Sequence, residues 1–182
     1  MRTYILILPL LVLLYACHPS SSDDPTINDA LIGYDSIYPT ADIQWHGKYY
    51  PLLDRHVVSI DLFGQGLSLD SANHIVGTGY NLYLSDVFLP STDTCLQAGV
   101  YHMANTSEAY TFLPYKDFEG NVTGSYLLEI QNNKINRIIG FTSGEMHVTY
   151  LSEEDVRLDM MLYTADSTHY RAIYQGHAFA ND

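Results

Sequence analysis

From Ile43 onward, apolar and polar residues alternate with a period of two, the repeat of a strand with one face buried. Val58, Ile60 and Leu62 share a face in residues 56–62, and Tyr80, Leu82 and Leu84 oppose Asn81 and Tyr83 before Pro90 ends the pairing. Residues 99–103 and 110–113 are shorter strands, and residues 125–130 alternate up to the turn Asn132-Asn133-Lys134. A strand at 135–141 then turns through Thr142-Ser143-Gly144 into Met146, Val148 and Tyr150. The clearest pair comes last. Val156, Leu158, Met160 and Leu162 oppose Arg157 and Asp159, and residues 165–168 turn the chain into a strand at 170–179. No stretch of ten residues between 43 and 179 has a helical period. The expected fold is all-β, with antiparallel strands in a two-sheet sandwich; a small up-and-down, lipocalin-like β-barrel is the alternative.

The amino terminus has a different pattern. Arg2 precedes an apolar run at residues 4–16 that is too short to span a bilayer, which takes about 20 residues. Leu14-Tyr15-Ala16-Cys17 resembles the lipobox of bacterial lipoproteins, with Tyr15 its unusual letter. The resemblance implies a signal peptide over residues 1–16 and acyl chains, palmitate among them, on Cys17. Two or more acyl chains anchor a protein stably. Residues 17–41 then read as the lipidated cysteine and a Ser-, Asp-, Pro- and Thr-rich tether, and residues 42–182 as a single β domain. Ser22-Asp23-Asp24 resembles the acidic address of Bacteroidota surface lipoproteins, which implies the outer membrane and its outer face, with a periplasm-facing anchor as the alternative.

Charge narrows the partners. The chain carries −13, and −14 once residues 1–16 and their Arg2 are removed, so nucleic acid is excluded as a partner. With Cys17 lipidated, Cys95 is left as a spectator thiol in a domain without disulfides.

Leu96-Gln97-Ala98-Gly99-Val100-Tyr101, Ser143-Gly144-Glu145-Met146-His147-Val148 and Tyr174-Gln175-Gly176 are similar to phrases repeated in small β-rich Bacteroidota lipoproteins, a family without an assigned activity. That resemblance implies a surface-displayed β-sandwich and transfers no catalytic residue.

The chain lacks the zinc, calcium, phosphate-loop and nucleophile-elbow motifs, and its eight histidines are scattered without i, i+2 or i+4 spacing. No catalytic residue, metal ligand or cofactor is therefore assigned. Aromatic residues remain. Trp45, Tyr49 and Tyr50 crowd a tight hairpin expected at His46-Gly47 and are the candidate ligand-binding residues. Trp45, the only tryptophan, is expected to be buried. Ser36, Ser71 and Ser167 follow aspartate and precede Ile37, Ala72 and Thr168, a motif resembling the O-glycosylation signal of exported Bacteroidota proteins. The function these features favour is a non-catalytic binding or accessory module for a glycan or a partner protein. A structural lipoprotein of an envelope complex comes second, and a hydrolase third.

Overall fold

The structure is a computed structural model in which residues 34–178 are described. Cys17, the signal peptide, the acidic cluster and most of the tether lie outside the described residues. The chain forms β1 (Tyr34–Tyr38), β2 (Thr40–Gly47), β3 (Arg55–Phe63), β4 (Leu67–Leu69), β5 (Ile75–Gly77), β6 (Gly79–Pro90), β7 (Gly99–Met103) and β8 (Thr111–Phe112). These are followed by β9 (Lys116–Phe118), β10 (Asn121–Thr123), β11 (Ser125–Gln131), β12 (Lys134–Gly140), β13 (Ser143–Tyr150), β14 (Asp155–Tyr163) and β15 (His169–His177). No helix occurs among the described residues. The all-β expectation is met.

One 11-stranded sheet dominates. From β2 the ladder runs through β3 to β6, then through β8, β7, β13, β14 and β15 to β1. β1 and β2 are consecutive in the chain with only Pro39 between them, so the two ends of the ladder are halves of one bent segment. Proline lacks the N–H that a continuous ladder needs, which is why the segment changes partners there. β11 and β12 extend from β6 beside β8. This single, nearly closed sheet fits the barrel-like alternative better than two separate sheets. Two pairings also correct the antiparallel expectation: β1 runs parallel to β15, and β7 parallel to β8.

The tether expected over residues 17–41 ends earlier than its composition implied. Residues 34–38 pair with Tyr170 to Tyr174, and Tyr38 is 1% exposed in the core.

Alternation sends Ile60, Leu62, Leu82, Leu84, Met160 and Leu162 inward, all at 0% exposure, so side chains fill the interior. The turns follow local chemistry. Asn132 and Asn133 both take positive φ, 50° and 65°, as a two-residue hairpin turn between β11 and β12 requires.

Two irregularities prepare the outer face. The β3–β6 register shifts between Val58 and Ile60, which pair with Val87 and Leu84. The extra residue on β6 is accommodated at Asp86, whose φ is +50°. This bulge lets Leu84 and Val87 both face the core while Ser85 and Asp86 stay outside. A second shift, between Trp45 and Gly47, leaves His46 unpaired on β2.

Candidate functional site

Side chains fill the interior, and on the outer surface a cleft of about 440 Å³ crosses β3, β6 and β11. Its floor comes from the residues that alternate with the core: Ser59, Tyr83, Ser85 and Tyr126. Tyr83 and Tyr126 are register partners on neighbouring strands, with ring centroids 5.4 Å apart. Val122 and Thr123 of β10 line one side, and His46, Tyr49 and Tyr50 line another.

The loop carrying Tyr49 and Tyr50 is longer than expected. β2 runs on to Gly47 and the partner strand starts only at Arg55, so His46-Gly47 is a bulge and not a two-residue hairpin turn. The Tyr50 hydroxyl donates to Asp86 Oδ1 at 2.8 Å, and Ser85 Oγ donates to Asp86 Oδ2 at 3.2 Å. The Tyr49 ring meets Tyr50 edge-on at 5.0 Å and lies 5.8 Å from His46. His46 Nε2 is 2.8 Å from Ser59 Oγ. Tyr49 is 62% exposed, so its ring face is available from solvent.

Electrostatics keep these phenols protonated. Burial, the hydrogen bond to Asp86 and the charge of Asp86 push Tyr50 up to about 12. Burial and then the proximity of Tyr83 and Asp61 push Tyr126 up to about 12, and burial also raises Tyr83. Beneath them Asp61 on β3 is raised to about 6 by burial, against the hydrogen bond it accepts from Asn81 Nδ2. Beside the Asp86 carboxylate, the cleft therefore presents neutral hydroxyls and ring faces, a surface chemistry suited to the polyol edges and apolar faces of sugar rings.

Trp45 does not join this site. It shares the inward parity of Ile43 and meets His56 in a T-shaped contact at 4.7 Å, near the end of the sheet. At 39% exposure it is not the buried core residue expected from its rarity. Tyr126, Ser59 and Asp86 are not singled out for the site by sequence. Their available signal was alternation, which places Tyr83 and Tyr126 opposite Leu82 and Leu127.

The expected modification sites are scattered. Ser71 lies in the β4–β5 turn, where Asp70 Oδ1 accepts from the backbone N–H of Ala72 and of His74. Ser167 occupies the β14–β15 turn at φ +65°. Ser36 sits on β1, half-buried, a placement unlike the tether assigned to it.

Cys95 is 2% exposed and disulfide-bonded, so it is not the spectator thiol expected. Among the described residues no group of three metal-ligating side chains is assembled. The chain matches no protein-family model, no curated protein and no solved structure.

Proposed function

We propose that the protein is a lipid-anchored envelope protein whose β domain binds a glycan without transforming it. The observation that carries this reading is the convergence of Tyr49, Tyr50, Tyr83 and Tyr126 with Ser59, Ser85 and Thr123 around one cleft. Its lining carboxylate, Asp86, is engaged by Tyr50 and Ser85, which makes it a positioning group for the aromatic wall. Attachment through Cys17 at the outer face of the outer membrane remains the reading of the leader.

The test is titration of the mature chain with a panel of host and dietary polysaccharide fragments. Tyr126→Ala should weaken the responding glycan by about tenfold or more, as truncation of a central aromatic contact does. Tyr50→Phe, which keeps the ring and frees the loop from Asp86, should weaken it less. If no fragment binds, or if Tyr126→Ala binds as tightly as the parent, the cleft is not the binding face.

A second reading, a structural role in an envelope complex, is favoured by β12. It lies at an end of the ladder, paired with β11, and Ile135 is 59% exposed. Such an edge can accept a partner strand. Lys134, Asn136 and Arg137 along it oppose indiscriminate pairing, which is why this reading stands second.

A further inference from the structure

A second cleft, of about 560 Å³, opens on the other side of β11, between β12 and the start of β15. We propose that it binds a small molecule with an aromatic or short aliphatic body and one carboxylate.

Its lining is largely apolar: Ile138 is 40% exposed and Ile139 half-buried, beside the buried Leu127, Phe141 and Tyr170, the last two with rings 5.9 Å apart and tilted by 36°. Such a lining can cover a small apolar body.

The rim decides the charge. Its two carboxylates are already occupied. Glu129 Oε1 accepts from Gln131 Nε2 at 3.0 Å and from Asn136 Nδ2 at 2.8 Å. Asp166 Oδ1 accepts from the Thr164 hydroxyl and from the Thr168 N–H.

The groups able to donate are not occupied. Arg137 faces Glu129 in register, yet its guanidinium forms no ion pair or hydrogen bond among the described residues. His169 Nε2 is buried without a hydrogen-bond partner, a condition that costs free energy until a partner arrives. The Tyr80 hydroxyl makes no hydrogen bond among the described residues, and its side chain is 45% exposed. Three uncommitted polar groups thus border an apolar floor, one of them a fixed cation in a chain of net charge −13. A ligand carboxylate would accept from Arg137 in a charge-assisted bond while its body lies against the apolar lining. A neutral ligand of the same shape would leave the exposed guanidinium to water and gain no charge-assisted bond.

The experiment compares 4-phenylbutyrate with 4-phenyl-1-butanol, equal in body and differing in charge, by calorimetric titration of the mature chain. Phenylbutyrate should bind about tenfold or more tightly than the alcohol. Arg137→Gln should remove that difference, Arg137→Lys should restore part of it, and Tyr50→Phe in the other cleft should leave it unchanged. Equal affinity for acid and alcohol, retention of the difference in Arg137→Gln, or no saturable binding of either probe would each overturn the proposal. None of these results bears on glycan binding at the tyrosine cleft, so the two readings fail separately.

Discussion

Tyr38 tests whether the sheet begins before the stretch that composition alone assigns to the domain. It is 1% exposed, and its hydroxyl lies 2.7 Å from that of Tyr170. It belongs to β1, the strand that joins the two ends of the ladder through β15 and Pro39. Replacing it with alanine deletes a buried ring, for which the expected cost is about 3–5 kcal/mol. Tyr38→Phe keeps the ring and loses one hydrogen bond, a cost of about 1 kcal/mol.

Urea unfolding of the mature chain measures both. With a slope of about 2 kcal/mol per molar urea, the alanine variant should lower the midpoint by about 2 M and the phenylalanine variant by about 0.5 M. A segment that served only as a tether would give changes within about 0.5 kcal/mol for either substitution. A Tyr38→Ala midpoint within 0.3 M (roughly that limit divided by the slope) of the parent would therefore refute the closure by β1.

Other consequences can be measured independently. Asp61 is held at about 6, above its usual 3.8, so the folded state favours its protonated form; stability is full below the lower value and is lost as pH rises through the higher one. Asp61→Asn, which can still accept from Asn81, should leave stability near parental at pH 4 and raise it at pH 7–8 by at most about 3 kcal/mol, read from urea midpoints at each pH. No pH-dependent gain would show that Asp61 is solvated. Cys17→Ala should move the protein out of the membrane fraction, since the acidic domain has no affinity of its own for anionic headgroups. A chain with two cysteines cannot place Cys17 in both a thioether and an intrachain disulfide to Cys95, so the intact mass of native protein, with or without acyl groups, decides between them. If hexose is attached in the native host, peptide mapping should find it on Ser71 or Ser167, which sit in exposed turns; sugar on Ser36 would contradict the β1 pairing.

Alternation made the long strands legible because each has a single buried face. Val58, Ile60 and Leu62 lie inside β3, and Val156 to Leu162 inside β14, as their spacing implied. What alternation could not convey was partner choice. Tyr34-Asp35-Ser36-Ile37-Tyr38 is too polar and too close to Pro39 to stand out as a strand, and its pairing with β15 spans more than 130 residues of chain. Gly47 does adopt positive φ, +60°, as a hairpin glycine would, but the conformation serves a bulge and the chain returns only after residue 54. Asp86 takes a left-handed conformation that aspartate adopts more readily than most residues, but a single aspartate within an alternating strand does not mark a bulge.

The same missing information concealed both clefts, since each is made by strands that become neighbours only after folding. Tyr83 and Tyr126 are 43 residues apart in the sequence and direct register partners in the sheet. A one-residue slip of β11 would turn Tyr126 inward and Leu127 outward, exchanging a phenol for an aliphatic side chain on the binding face. The filled interior opposes that slip, because Leu127 is 2% exposed and belongs to the core cluster. Core packing thus fixes the spacing of the tyrosines outside. On the far side of β11, the same register places Arg137 across from Glu129, whose carboxylate is turned to Gln131 and Asn136 and so leaves the guanidinium uncommitted. One strand therefore separates a cleft of neutral hydroxyls from a cleft with a cation at its rim, and the two should select ligands of different charge without sharing a residue.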